Sequence, residues 1–253
     1  MAGQRHFACT GCGKCCYGLL PLTLADAISH AHRFPLGIMW TPVRQNQRSF
    51  DLTARLGTTV RLRDRRNLAL RITAVAYMPQ ALPCPALGAD NLCTIHADKP
   101  ARCRTMPFFP YLEEAEQAAQ LTPRKGWDCD VSTDAPAVFH ERTILDRADF
   151  DAERAELLRQ APLLKHYGAA LMTTVPGLLD KLGMAALRPA GGDVLLGIST
   201  LLPHWTGADV ADFARRQIPV LEDFAARTAN DIALAEFHHR YRQWSREMTR
   251  LAG

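Results

Sequence analysis

Residues 7–16 read Phe7-Ala8-Cys9-Thr10-Gly11-Cys12-Gly13-Lys14-Cys15-Cys16 and place four thiols within eight residues. Cys9, Cys12 and Cys15 form a C-x2-C-x2-C run, a spacing at which the backbone can curl around one ion or cluster while three sulfurs point inward. The two intervening glycines suit a tight loop, because glycine permits positive φ and carries no Cβ. The stretch therefore predicts a metal-binding loop.

Four more cysteines follow, and none occurs after Cys129. Their confinement to one region indicates a shared constellation whose sequence-distant halves are brought together by folding. Consecutive side chains diverge on an extended or turning backbone, so we expect Cys15 and Cys16 not to serve one mononuclear site equally, and one of them to serve a second site. The candidate metal ligands are Cys9, Cys12, Cys15, Cys16, Cys84, Cys93, Cys103 and Cys129.

Three other interpretations of the cysteines stay open. An even number of thiols permits disulfides, but the opening residues MAGQRHFACT do not form a charged-then-apolar leader, so we expect the reducing cytoplasm. Buried apolar thiols suit a lone cysteine better than four separated by glycine and lysine. A purely structural zinc site is the strongest alternative, because thiolate-rich tetrahedral sites commonly do nothing except hold loops together.

Composition places the chain among ordinary globular proteins. It has 253 residues, of which 47% are hydrophobic and 22% charged, and this length allows one sizeable core or two small domains. The formal net charge of +4 is far below that of a dedicated nucleic-acid binder, so we expect no nucleic-acid partner. The most apolar window, residues 185–202, is broken by Arg188, Pro189 and Asp193, so we expect no membrane span.

Secondary structure is predicted most clearly between residues 23 and 75. Residues 23–26 resemble a capping box and predict a short helix, with Asp26 as its cap. A less regular stretch through Trp40 and Pro42 follows. Alternating residues 58–63 and 68–75 then flank a polar turn and predict a β-hairpin. Its outer face carries Arg61, Arg63 and Arg71, which we interpret as a solvated strand surface rather than a phosphate site.

The later cysteines lie among prolines and basic residues. Stiff proline flanks reduce the entropy lost when separated ligands converge on a metal. Nearby cations can offset the excess negative charge of several thiolates, and the candidates are Lys14, Lys99, Arg102 and Arg104. Since the sulfurs suffice as ligands, we expect His6 and His96 to pack or to support the ligands.

The second half of the chain is predicted to be helical. We place a boundary near Ser132, with a cysteine-cluster metal-binding domain at residues 1–132 and a helical extension packed on it at 133–253. Amphipathic patterns predict helices at residues 149–159 and 162–172, and a short strand is predicted within 193–198.

The last predicted helix starts at Pro219 and carries two apolar stripes on opposite faces. We expect it to be covered on both sides or to bend. The stripes are Leu221, Phe224, Ala225, Ile232 and Ala235, and Leu234, Phe237, Tyr241, Trp244 and Met248. His239 continues the first stripe and is predicted to pack. A protein partner could use either stripe, although packing against the preceding helices is the simpler interpretation.

Several of these motifs together resemble one known family. They are Phe7-x-Cys9-x2-Cys12-Gly13-x-Cys15-Cys16, Leu22-Thr23-x2-Asp26, Cys84 and Cys93-x-Ile95-His96-x2-Lys99-Pro100-x2-Cys103-Arg104-x2-Pro107. The family is named for its CxxCxxCC motif, and its YkgJ-like members are described as zinc- or iron-chelating proteins. The resemblance implies metal or iron–sulfur binding by all eight cysteines. The family also includes flagellin lysine-N-methylases, which implies that some members methylate proteins with S-adenosylmethionine.

We therefore expect an α+β, predominantly helical protein with a cysteine-clamped module, a small β-hairpin and a C-terminal helical extension. The leading functional hypothesis is an iron–sulfur cluster held by the N-terminal run plus distant cysteines, in a redox, sensing or chelating role. The first alternative is a structural-zinc module whose helical half binds a protein partner. The third is a protein lysine methyltransferase-like enzyme, although the sequence lacks the glycine-rich strand–loop–helix motif. No catalytic residue is identified.

Overall fold

The computed structural model of the chain describes residues 3–189 and 191–253. It is 45% helical and 18% strand, which confirms the mixed α+β class. The strands are β1 (Arg5–His6), β2 (Leu20–Leu22), β3 (Leu36–Arg44), β4 (Thr58–Arg61), β5 (Asn67–Ala76), β6 (Ala137–His140), β7 (Thr143–Ile144) and β8 (Val194–Gly197). The α-helices are α1 (Leu24–Ser29), α2 (Phe50–Leu56), α3 (Ala101–Thr105), α4 (Ala148–Thr174), α5 (Leu178–Leu187), α6 (Val210–Thr228) and α7 (Ala235–Ala252).

The larger of the two sheets has five antiparallel strands. Its order is β2-β5-β3-β8, and β4 pairs with the first part of β5, so that β5 holds β4 near one end and β2 near the other. Thr58 lies opposite Leu70, and Arg61 lies opposite Asn67. This pairing confirms the predicted hairpin. The smaller sheet, in the order β1-β6-β7, joins the N-terminus to residues 137–144.

Strand β3 gives no clear signal in the sequence, although it runs through the middle of the sheet. Seven of its nine residues are buried, so it lacks the alternation of a half-exposed strand. It also contains Pro42, which cannot donate to a ladder. Pro42 lies beyond Trp40, the last β3 residue paired with β8, where one side of β3 is an edge that tolerates proline.

The predicted basic outer face of the hairpin is only partly correct. Arg61 and Arg63 are exposed. Arg71 is instead half-buried, with its guanidinium 5.4 Å from the ring centre of Phe109 and 5.1 Å from that of Tyr111. The planar guanidinium packs well on aromatic faces, which explains why this arginine leaves the solvent-facing set.

Helix α4 corrects the prediction of two short helices. Residues 148–174 form one continuous helix that contains Pro162. Its neighbours Leu157, Ala161 and Leu164 are buried, so packing outweighs the hydrogen bond that proline removes. The side chain of Gln160 accepts a 2.8 Å hydrogen bond from the backbone N–H of Leu24, which fixes α4 to the start of α1.

The predicted last helix is in fact two helices, α6 and α7. Pro219 lies inside α6 rather than at its start, and a short 3-10 turn at Ile232–Leu234 precedes α7. The two apolar stripes therefore belong mostly to different helices, and Ile232 is 95% exposed. The prediction that His239 packs is also wrong, because the side chain is exposed. His238 packs in its place, with Nδ1 2.9 Å from the carbonyl oxygen of Ala225.

The main buried core draws on residues from both sides of position 132. Strand β8 pairs with β3, and the hydroxyl of Tyr241 on α7 donates a 2.7 Å hydrogen bond to the carbonyl of Tyr77. The side chain of Gln217 on α6 donates to Phe34 and accepts from Leu36. The boundary near residue 132 stays a prediction, but the extension shares its core with the first half. None of the described helices is both long and apolar enough for a bilayer crossing.

Candidate metal centre

The N-terminal cysteine run lies against the segment that carries Cys129. Ala8 and Asp130 exchange two backbone hydrogen bonds of 2.8 and 3.0 Å, which makes the two segments antiparallel neighbours. Cys9 and Cys129 are the residues next to this pair. Burial raises the pKa of Cys129, and three further thiols add to the rise by charge repulsion, namely Cys12, Cys9 and Cys15. Four sulfurs are therefore electrostatic neighbours in this part of the chain.

Cys12 is the thiol of this group that is best prepared to ionise. Hydrogen bonds from the backbone of Lys14 and then of Asp128 lower its pKa, since they stabilise the thiolate more than the thiol. The Thr10 hydroxyl donates a 2.9 Å hydrogen bond to the carbonyl of Asp128 and holds the two segments together at this point. A lowered pKa favours the form of cysteine that binds metal.

Two glycines let the cysteine loop approach the turn at residues 88–91. Gly11 has φ +69° and Gly13 has φ +70°, the left-handed region in which a side chain is strained. A Cβ at position 13 would lie 3.2 Å from Cβ of Asn91, and one at position 11 would lie 3.1 Å from a methyl group of Leu92. The two glycines therefore shape the loop as predicted. They adopt positive φ, and their lack of a Cβ lets the loop backbone approach residues 91 and 92 closely.

Cys16 and Cys84 are joined through their backbones. The N–H of Cys84 donates a 2.7 Å hydrogen bond to the carbonyl of Cys16, and Tyr17 and Pro83 form an isolated antiparallel bridge beside it. The two cysteines are 68 positions apart in the sequence. Folding therefore brings a distant cysteine to the end of the N-terminal run, as the sequence analysis expected.

A compact turn then carries the chain from Cys84 to Cys93. The N–H of Leu87 donates to the carbonyl of Cys84 at 2.9 Å, and Leu87 bridges Cys93 across the turn. The N–H of Thr94 closes the turn by donating to the carbonyl of Ala86 at 2.8 Å. These bonds hold the two cysteines on opposite arms of one loop.

Cys103 lies on α3, whose start is capped by a residue from α1. The carboxylate of Asp26 accepts hydrogen bonds of 3.2 and 3.3 Å from the N–H of Ala101, and with Thr23 it also forms the predicted capping box of α1. The sequence pattern predicts only the local role. The second role has no local signal, because Ala101 is 75 residues away from Asp26. The only hint in the sequence is that Asp26 belongs to the motifs that resemble the CxxCxxCC family.

The pKa values of the adjacent thiols Cys15 and Cys16 shift in opposite directions. The thiol of Cys15 donates a hydrogen bond to Cys16, which lowers the pKa of Cys16 and raises that of Cys15. The pKa of Cys16 is also pushed upward by burial and then by three other thiols, Cys84, Cys103 and Cys93. Cys16 therefore belongs to the electrostatic neighbourhood of the distant cysteines.

Positive side chains lie close to three of the sulfurs. Burial raises the pKa of Cys103 to about 12, and the guanidinium of Arg102 partly opposes that rise. Lys99 acts in the same way on Cys15, and Arg33 acts on Cys84. Lys99 and Arg102 were among the predicted cations, whereas Arg33 was missed because no cysteine is near it in sequence. Of the other two predicted cations, Lys14 is exposed and Arg104 pairs with Asp149 at 3.3 Å.

The two histidines near the cysteines have other surroundings. Nδ1 of His6 lies 2.6 Å from the carbonyl oxygen of Ala135, and His96 is exposed at the start of a 3-10 turn. Within residues 3–189 and 191–253, no group of three or more histidine, cysteine, aspartate and glutamate side chains is arranged to hold an ion.

The donor set nevertheless suits a thiolate-bound metal. All eight cysteines are free, and those on the N-terminal loop are exposed or partly exposed. Nε of Arg33 and both Nε and Nη1 of Arg102 are buried without a hydrogen-bond partner among the described residues. The buried N–H of Arg33, whose charge acts on Cys84, suits a centre with excess negative charge, whereas the charge of Arg102 is shared with Glu153.

One protein-family model, CxxCxxCC, matches residues 8–126 and carries the description "Putative zinc- or iron-chelating domain". The matched range contains seven of the eight cysteines, and Cys129 lies just beyond it. No match to the chain was found among curated proteins or among solved structures. Residues 8–126 therefore resemble the zinc- or iron-chelating domain that this family model describes.

Proposed function

We propose that this zinc- or iron-chelating domain holds an iron–sulfur cluster, with the chain in a redox, sensing or chelating role. The observation that carries the proposal is the approach of distant cysteines to the N-terminal run. The backbone pairing of Ala8 with Asp130 places Cys129 beside Cys9. The backbone N–H of Cys84 donates a hydrogen bond to the carbonyl of Cys16. Closely spaced thiols that are completed by a remote cysteine are typical of iron–sulfur ligation.

A bound cluster would supply reversible electron transfer, at a potential set by charge, hydrogen bonds to sulfur and exposure to solvent. The residues of the chain bear on each of these factors. Backbone hydrogen bonding from Lys14 and Asp128 lowers the pKa of Cys12. The positive charges of Arg33, Lys99 and Arg102 act on Cys84, Cys15 and Cys103 respectively. These groups stabilise added negative charge and so favour the reduced state.

Anaerobic purification followed by visible spectroscopy tests the proposal. We expect broad charge-transfer absorption, together with iron and acid-labile sulfide in similar amounts. The variant Cys12→Ala/Cys16→Ala removes two central thiols and should lose both the absorption and the iron. A colourless wild-type protein with stoichiometric zinc would replace the iron–sulfur assignment with the zinc module, and a wild-type protein free of both metals would overturn metal binding itself.

The zinc alternative has its own support in the weak packing of the cysteine loop. Among the described residues, positions 8–19 contribute no side chain to the three buried apolar clusters. A metal would therefore supply order that the loop does not obtain from a core. Structural zinc provides on the order of 10–16 kcal/mol in small zinc-finger peptides, which is ample for a loop of this length. In that case the module would serve a protein partner through the helical half.

A further inference from the structure

We propose that the eight cysteines form two separate four-sulfur centres, and that the peptide bond between Cys15 and Cys16 divides them. The first centre consists of Cys9, Cys12, Cys15 and Cys129, and the second of Cys16, Cys84, Cys93 and Cys103. This assignment rests on the proposed metal-binding function and specifies which residues serve each centre.

The first centre follows from the antiparallel contact between the cysteine loop and residues 128–130. The backbone bonds between Ala8 and Asp130 place Cys9 and Cys129 on adjacent segments, and the bond from Thr10 to Asp128 extends the contact toward Cys12. Cys12 follows Thr10 by two residues on the loop that this contact holds. Cys129 can therefore complete the C-x2-C-x2-C run as its fourth ligand.

The second centre follows from three attachments on the other side of the loop. The 2.7 Å backbone bond joins Cys84 to Cys16, and the turn closed by the Leu87–Cys93 bridge returns Cys93 to the same place. Cys103 reaches it from α3, which contacts β2 directly after the cysteine run. The carboxylate of Asp26 holds the start of that helix.

The charge repulsion between thiols agrees with this division at two residues. It raises the pKa of Cys129 through Cys12, Cys9 and Cys15, and it pushes the pKa of Cys16 upward through Cys84, Cys103 and Cys93. Cys15 also raises the pKa of Cys84 and that of Cys103, so it lies near both sets. Its exposure and its place in the regular C-x2-C-x2-C run assign it to the first centre. Cys16, whose backbone carbonyl accepts the hydrogen bond from Cys84, serves the second.

Alkylation of the metal-loaded protein, read by mass spectrometry for each cysteine, tests the division. In the wild-type protein we expect all eight thiols to be protected. In Cys9→Ala/Cys129→Ala, Cys12 and Cys15 should become alkylated while the second set stays protected. In Cys84→Ala/Cys93→Ala, Cys16 and Cys103 should become alkylated while the first set stays protected. Metal content should fall by about half in each variant. His96→Ala, next to the second set but outside it, is the control and should retain full metal and full protection.

Other patterns have distinct meanings. Loss of protection at all remaining thiols in a variant with wild-type circular dichroism would show one shared centre and overturn the division. A wild-type chain that protects only four thiols would do the same. If a double variant does not fold, the single variants Cys129→Ala and Cys93→Ala carry the same comparison. A wild-type chain that binds no metal would instead overturn the proposed function, and the division with it.

Discussion

At the scale of single residues, Asp26 shows how one carboxylate can support two helix starts. It completes the capping box of α1 and accepts hydrogen bonds from the N–H of Ala101 at the start of α3. The first role could be predicted, because Thr23 and Asp26 are local in sequence. The second could not, because a bond across 75 residues leaves no periodic pattern.

We expect Asp26→Ala to lower the free energy of unfolding by about 1–3 kcal/mol, because loss of one helix cap typically costs about 0.5–2 kcal/mol. It should also loosen Cys103 by releasing α3. Urea denaturation measures the stability change, and alkylation of Cys103 measures the loosening. Asp51→Ala is the matched control, because Asp51 is exposed in the first turn of α2 and its loss should cost less than about 0.5 kcal/mol. Equal effects of the two variants would contradict the bridging role.

His30 is expected to make stability depend on pH. Burial lowers its pKa below the ordinary value of 6.5, so the unfolded chain takes up a proton more readily than the folded chain. Stability is therefore fully present above the unfolded pKa and falls as the pH drops through that value toward the folded pKa. Comparison of urea denaturation at about pH 7.5 and about pH 5 should show a smaller fall in His30→Gln than in wild type.

The neighbouring His32 provides the control for this measurement because its side chain is exposed. His32→Gln should retain the wild-type loss of stability in acid. If His30→Gln loses as much stability as the wild-type protein between the two pH values, the buried histidine is not the group responsible.

At the scale of elements, α3 is fixed to α4 by a buried pair of opposite charges. Nη1 of Arg102 lies 3.6 Å from Oε2 of Glu153, and each side chain is 5% exposed. Burial raises the pKa of Glu153, and the charge of Arg102 opposes the rise. We expect Glu153→Ala to lower the free energy of unfolding by about 3–5 kcal/mol, because it leaves a buried guanidinium without its partner.

The double variant Arg102→Met/Glu153→Leu should recover much of that loss, since apolar side chains need no charge partner. Thermal or urea denaturation of the two variants makes the comparison. The exposed pair Arg55–Glu113 is the control, and Glu113→Ala should change stability by less than about 1 kcal/mol. A Glu153→Ala variant as stable as this control would show that the buried pair does not hold the two helices together.

Elements with a local pattern could be predicted from the sequence, and elements shaped by distant packing could not. The hairpin of β4 and β5 and the strand β8 carry their own signals and appear as expected. Strand β3 lacks alternation because it is buried on both faces. Helices α4 and α6 continue through Pro162 and Pro219, which in an isolated peptide would end a helix. Only the tertiary contacts of their flanking residues explain why they continue.

At the scale of the whole molecule, we expect the two halves of the chain to unfold together. The main core and the larger sheet both combine residues from each side of position 132. Hydrogen exchange should therefore give the same opening free energy for amides in the middle of β3 and in β8. Two well-separated values would instead support independent domains at residues 1–132 and 133–253.

The functional predictions differ in how far the sequence supports them. The match of residues 8–126 to the CxxCxxCC family model could be predicted, because the cysteine spacings and flanking motifs are local in sequence. The choice between iron–sulfur and zinc could not, because both use thiolates on short loops. The methyltransferase-like alternative stays a hypothesis, as does a protein partner for the helical half. A methyl-transfer assay with labelled S-adenosylmethionine and cell lysate would detect the enzyme activity.

Strand β8, which fills one edge of β3, also fixes an order of events during translation. A ribosome that has just added Cys103 must still add about 90 residues before Gly197, which takes roughly 5–20 s at typical elongation rates. Throughout that interval at least seven of the eight cysteine sulfurs already exist on a nascent polypeptide whose scaffold is unfinished. Delivery of inorganic cargo, or damage by oxidants, can thus begin before the protein leaves the ribosome.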